Sequence, residues 1–194
     1  LYMKELTNVL LAVVILGMSF NYFYKNMNLT RVKSTVDGHS YIVRKLPDKQ
    51  DASNILAKIS NDLTKLVEYV YTNNKDRQGV DQLKENFNSR NISENTPGGQ
   101  YTAYSVNKGE ELAICLREVK TNKFIDTNLI IFVSIHELAH VMTDEVGHTP
   151  KFWDNMRFLL EKGRDIGIYQ PEDYSKTPKI YCGQEINSTP YKFN

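Results

Sequence analysis

Leu129-Ile130-Ile131-Phe132-Val133-Ser134-Ile135-His136-Glu137-Leu138-Ala139-His140 is the stretch on which the reading of this chain turns. Seven residues with one polar member run straight into two histidines and a glutamate, and Asp126, Thr127 and Asn128 stand upstream as N-cap candidates. A segment apolar on all sides predicts a central helix packed on most of its faces. On such a helix His136 and His140 project from one face a turn apart, which sets two imidazole nitrogens for one tetrahedral cation. Glu137 lies about 100° round from His136 and can reach a water at the metal without ligating it. This is the HExxH arrangement, two ligands and a general base in five residues. At this chain's own His and Glu frequencies, chance would produce it in a protein of this length on the order of 0.5% of the time. Burying two imidazoles and a carboxylate in an apolar helix is costly unless they are paired, and a metal supplies the partner.

A catalytic zinc site needs a third protein ligand and an open position for water. Val146-Gly147 predicts the helix stop, since Gly supplies the left-handed turn at a C-terminus, and His148 follows at once. Thr149 then reads as N-cap and Pro150 as first residue of a second helix, with Phe152, Trp153, Met156, Leu159 and Leu160 on its apolar stripe. His148 is the favoured third ligand, with Asp144, Glu145 and Glu161 as alternatives. Three of the four histidines thus fall between residues 136 and 148, and His39 reads as a surface histidine.

Upstream, Leu112, Ile114 and Leu116 alternate with more polar neighbours as a half-buried strand does. Tyr101–Val106 is β-prone, and Asn107-Lys108-Gly109 joins the two runs as a hairpin. Asn95-Thr96-Pro97-Gly98-Gly99 is a loop. Ile55, Leu56, Ile59, Leu63, Leu66, Val67 and Val70 form a helical stripe over 53–71, with Asp51 and Ser53 as cap candidates, and a shorter helix is expected over 80–87. Residues 26–50 are mixed and polar, with a possible short strand at His39–Val43, and read as a stalk. The domain proper is expected over 51–194, with an extended tail from about residue 170.

The N-terminus differs from all of this. No charge occurs in the nineteen residues from Leu6 to Tyr24, and Tyr22-Phe23-Tyr24-Lys25 resembles an interfacial aromatic belt with a basic stop. A helix needs roughly 20 apolar residues to cross the hydrocarbon, so 1–25 reads as a single anchor that meets the bilayer through residues 6–24. Lys25, Arg31 and Lys33 follow it and predict a domain on the cytosolic side. The sequons at Asn28, Asn91 and Asn187 would then be inert, and the two cysteines, Cys115 and Cys182, would stay reduced. In another setting these two could pair with each other, or Cys182 could ligate zinc.

The whole chain has 194 residues, 24 Lys+Arg against 23 Asp+Glu, and 41% apolar residues. This excludes a disordered chain and a multi-span membrane protein, and two cysteines exclude a disulfide framework. Near-neutral charge gives no overall footprint for nucleic acid.

His136-Glu137-Leu138-Ala139-His140, the seven residues after it, and Gly147-His148 with Pro150-Lys151-Phe152-Trp153 resemble the SprT-like and WLM zinc metallopeptidases, and similar proteins occur in large DNA viruses of eukaryotes. The resemblance implies an α+β, minimal zincin-like domain, a small antiparallel sheet packed on the HExxH helix. It implies that His136, His140 and His148 bind Zn2+ and that Glu137 is the catalytic base. The expected activity is hydrolysis of peptide bonds in a protein or peptide substrate, by a peptidase that the N-terminal helix anchors in a membrane. The substrate is expected to pair with the strand Leu112–Glu118 at the cleft edge. The other reading is a structural one, a minor capsid protein contacting neighbouring proteins of a virion or membrane complex, with the zincin fold as scaffold.

Overall fold

The computed structural model describes residues 28–96, 103–106 and 109–193. The expected anchor over 6–24 lies outside them, and among the described residues no helix is long and apolar enough to cross a membrane. The chain is α+β. Strands β1 (Leu29–Lys33) and β2 (Ser40–Arg44) come first, then helices α1 (Lys49–Asn73) and α2 (Val80–Asn86). Strands β3 (Ile92–Glu94), β4 (Tyr104–Val106) and β5 (Glu111–Ile114) precede helices α3 (Thr127–Met142) and α4 (Pro150–Asp165), and β6 (Lys179–Tyr181) with β7 (Gln184–Ile186) closes the chain.

Five strands form one sheet in the order β1-β2-β3-β5-β4. The sheet is mixed, which corrects the expected antiparallel one: β1–β2 and β4–β5 are antiparallel, whereas β3 runs parallel to both β2 and β5. The reason lies in the connections. The long α1 carries the chain from β2 back to the start of β3, as a crossover between parallel strands requires. β4 and β5 pair antiparallel from Tyr104↔Ala113 to Val106↔Glu111, as the expected hairpin requires, and residues 107 and 108 of its turn lie outside the described residues. The strand read at Leu112–Glu118 is Glu111–Ile114 and sits inside the sheet, so β4 forms the edge.

The segment 26–50 read as a stalk is in fact partly sheet. β1 and β2 share five register pairs from Leu29↔Arg44 to Lys33↔Ser40. Tyr41 and Val43 are buried, and Ser53 Oγ on α1 donates to the Val32 carbonyl at 2.9 Å. Polar composition misled because Arg31, Lys33 and Ile42 on the outer face meet water, while Tyr41 and Val43 of β2 are buried on the inner face.

Helix α1 starts four residues before the predicted point. Its N-cap position is Asp48, whose carboxylate binds Arg117 in place of the helix N–H groups, and Ser53 is spent on Val32. The stripe Leu56, Ile59, Leu63, Leu66 and Val70 packs under β1, β2 and β3. Helix α3 is nearly all buried, as its all-round apolarity demands, and touches β4, β5, α1, α2 and α4. At its C-terminal end Gly79 has φ +88°, and a Cβ there would stand 2.2 Å from the Met142 carbonyl oxygen, so only glycine lets α2 begin so close.

The tail from about residue 170 is packed rather than loose. Tyr174 and Tyr181 are buried, and Cys182 is joined to Cys115 by a disulfide across 67 residues. The pairing replaces the reduced pair expected on the cytosolic side and removes Cys182 as a zinc ligand. A two-stranded hairpin is marginal alone in water, and β6–β7 gains its order from this bond and from Tyr181 beneath it.

Candidate metal centre

Three elements bring the histidines together. Asp126 Oδ1 accepts from Leu129 N at 3.1 Å and starts α3 where the sequence places it. His136 and His140 lie on one face of that helix, part-exposed, while Glu137 is turned inward and is 8% exposed. The helix ends at Met142, earlier than Val146, because Thr143 turns extended. Thr143 Oγ1 donates to the Ala139 carbonyl at 2.7 Å and accepts from Asn155 Nδ2 of α4 at 3.0 Å, fixing the angle between the two helices. Gly147, with φ +87°, returns the chain toward α3. Thr149 Oγ1 accepts from Phe152 N at 3.3 Å and Pro150 takes the first helical position, so His148 is pinned just before a capped helix.

The result is a cluster of three Nε2 atoms. His148 Nε2 stands 3.0 Å from His136 Nε2 and 3.2 Å from His140 Nε2. All three offer ligand atoms within 4.8 Å of one another. Tetrahedral zinc with Zn–N of about 2.05 Å puts its nitrogens about 3.3 Å apart, so the donor set fits that ion. Burial, reinforced by the neighbouring imidazoles, holds His136 down to about 3. Burial and His148 hold His140 down to about 4. Both rings are therefore neutral at physiological pH with a lone pair to give. Asp144, Glu145 and Glu161 are not in this cluster; Asp144 pairs with Lys151 at 2.8 Å.

Aromatic rings form the floor and one wall. Phe152, fully buried, has its centroid 4.9, 4.3 and 4.7 Å from those of His136, His140 and His148. Trp153 stacks on His148 at 5.4 Å and remains 39% exposed. The sequence stripe places both on α4 but assigns them to the core, and only Phe152 belongs there.

Tyr181 is the group that sequence reasoning missed. One of twelve tyrosines on a three-residue strand, it carries no local signal. The fold brings its hydroxyl to Cys115, whose backbone N–H donates to it at 3.0 Å. Burial raises its pKa, and the negative charge of Glu137 adds to the rise, so the C-terminal hairpin reaches into the electrostatic neighbourhood of that carboxylate.

A family model described as WLM domain matches residues 35–191. An uncharacterized protein, R325, of Acanthamoeba polyphaga mimivirus is 36% identical over 185 residues, covering 93% of this chain and 94% of its own length. An uncharacterized protein, 136R, of Invertebrate iridescent virus 6 is 34% identical over 82 residues, 41% of this chain and 44% of that protein. The crystal structure of Wss1 from Saccharomyces cerevisiae superposes with a TM-score of 0.50 at 24% identity, covering 64% of this chain and 86% of that one.

Proposed function

The chain belongs to the WLM domain family, and from that premise we propose that it is a zinc-dependent peptidase with His136, His140 and His148 as ligands and Glu137 as general base. The observation that carries the proposal is the meeting of three imidazole Nε2 atoms, two from α3 and one from the loop before α4, beside the buried carboxylate of Glu137. Zinc, when bound, supplies Lewis acidity toward a peptide carbonyl and toward water. Glu137 orients the attacking water, takes its proton and returns that proton to the leaving amine. Phe152 closes the floor beneath the imidazoles and keeps bulk water from that side. Substrate pairs with the outer side of β4, the edge strand among the described residues and a neighbour of α3, in place of the interior β5. The uncharged run 6–24 tethers the domain to a membrane.

The scaffold reading draws less from the site. A structural zinc takes four protein ligands, whereas among the described residues three converge here. The test is metal content and proteolysis of the full chain in detergent. Zinc-loaded wild type is expected to cleave casein, while Glu137→Gln keeps its zinc and loses cleavage by at least a hundredfold. Equal cleavage by both forms at equal zinc content would sink the assignment.

A further inference from the structure

We propose that the outer face of the β1–β2 hairpin is a docking surface for anionic lipid headgroups. Alternation puts Arg31 and Lys33 of β1 on the face that also carries Ile42 and Arg44 of β2, through the pairs Arg31↔Ile42 and Leu29↔Arg44. Arg31 and Lys33 are exposed, and Ile42 is 36% exposed. The opposite face, with Tyr41 and Val43, is the one α1 covers. A surface recess of about 460 Å³ opens between this face and the loop before β3, lined by Arg31, His39, Ser40, Ile42 and Arg90 among others. The nearest carboxylate in the connecting turn, Asp37, is taken up by the Tyr41 hydroxyl at 2.7 Å and the His39 N–H at 3.0 Å. Cations around an apolar centre are the complement of an anionic headgroup layer.

The occupant follows from where the hairpin lies in the chain. The inference rests on the reading of residues 6–24 as a membrane span. Only Lys25, Asn26, Met27 and Asn28 separate that run from Leu29. Four residues reach at most about 14 Å when fully extended, so β1 starts within roughly two Debye lengths of the headgroups. The strand order then matters: β1 and β4 are opposite edges of the sheet, four strand spacings or about 19 Å apart. A bilayer against β1 and β2 leaves β4 and the metal helix free for a protein substrate.

The test uses the full chain with a nitroxide at Ile42→Cys, in nanodiscs of phosphatidylcholine with and without phosphatidylserine. Phosphatidylserine is expected to cut the collision rate of an aqueous relaxant at this position severalfold, and the combined R31E, K33E and R90E variant to restore it at an unchanged melting temperature. Equal accessibility in both compositions overturns the proposal. So does shielding by an oligonucleotide without shielding by phosphatidylserine, which would make the face a nucleic-acid surface. An alkaline carbonate wash reads the tether separately. If it strips the chain from the discs, the span reading fails, and flotation with phosphatidylserine vesicles decides the face. Each cation near such a surface shifts partitioning by about fivefold, so salt-sensitive flotation lost at least tenfold in the triple variant supports it, and no flotation overturns it.

Discussion

The polar cluster around Arg117 and the part-exposed histidine cluster meet the cost of taking polar groups from water in opposite ways. Around Arg117, which is 2% exposed, donors and acceptors match within the protein. Its Nε donates to Glu94 Oε1 at 2.9 Å, Nη2 to Asp48 Oδ1 at 2.9 Å, and Nη1 to Asp48 Oδ2 at 2.6 Å and to the Asn122 carbonyl at 3.1 Å. Glu94 Oε2 accepts from Arg44 N at 2.7 Å, and Phe124 covers the guanidinium at 4.0 Å. The histidine cluster has no such closure. Each neutral imidazole holds one N–H, so three Nε2 atoms that meet cannot all be satisfied by one another. A group whose partners are all present holds the fold; a group whose lone pairs converge on a common point awaits a ligand.

The sharpest way to break this contrast is Arg117→Met. The substitution leaves Glu94 buried with one partner gone, and the expected loss of stability is about 3–5 kcal/mol, read as a lower denaturant midpoint. Arg117→Met with Glu94→Gln should recover much of it, because a matched apolar or neutral pair costs less than an orphaned charge. No recovery would mean that Arg117 acts through its other bonds, to Asp48 and Asn122.

The disulfide sharpens the comparison from a third place. It ties the C-terminal hairpin to Cys115, the residue after β5, by covalency where the Arg117 cluster uses charge. Closing a 67-residue separation is worth about 4 kcal/mol in the chain-entropy account, and about 2–4 kcal/mol is the usual yield. Cys115→Ala with Cys182→Ala should lower the unfolding midpoint accordingly. Native protein should show no free thiol to an aromatic disulfide reagent; two reactive thiols would return the cysteines to the reduced state expected from a cytosolic domain.

These clusters also explain what was legible in the sequence. The three proposed ligands and the proposed base span thirteen residues, and each is placed by a local rule: helix periodicity for His136 and His140, a left-handed Gly147 and the Thr149 cap for His148. Local rules survive without knowledge of the fold. The Arg117 cluster gathers Asp48, Glu94 and the turn carrying Arg117 and Asn122 from three segments, and Tyr181 reaches Cys115 across 66 residues. No spacing encodes these. The hairpin at 29–44 escaped for a related reason: its polar outer face reads as a linker until α1 is known to cover the inner one. The mixed sheet likewise depends on pairing β3 with β2 and β5, which is a property of the assembled layers.

A slightly smaller loss is expected at the hinge between the two helices of the site. Asn155→Ala removes the donor to Thr143 Oγ1 and the acceptor for Arg77, two bonds at a buried position, and should cost about 1–3 kcal/mol in chelator. Because it loosens α4 against α3 without touching a ligand, zinc affinity should fall only modestly, by about tenfold or less, in a competition titration with a chromogenic chelator.

The smallest effect on the fold and the largest on the metal should fall at the same residue. His148 is exposed, is the last of the three proposed ligands and belongs to a loop rather than to a helix. His148→Ala in chelator gives up ring contacts with Trp153 and Phe152 at an exposed position, so the stability should move by no more than about 0.5 kcal/mol. Wild type with excess zinc should gain stability in proportion to the logarithm of zinc concentration over Kd, as any ligand of the native state produces, and the variant should gain far less. Unfolding curves for both proteins, with chelator and with zinc, give the four numbers needed. A His148→Ala loss in chelator as large as that of Arg117→Met would show that the histidines brace the fold as the ion cluster does. A zinc increment that survives the substitution would show that the ion is held by another set of donors. Loss of the increment alone would mean that the apo fold does not depend on the third ligand, and that its place beside His136 and His140 serves the ion.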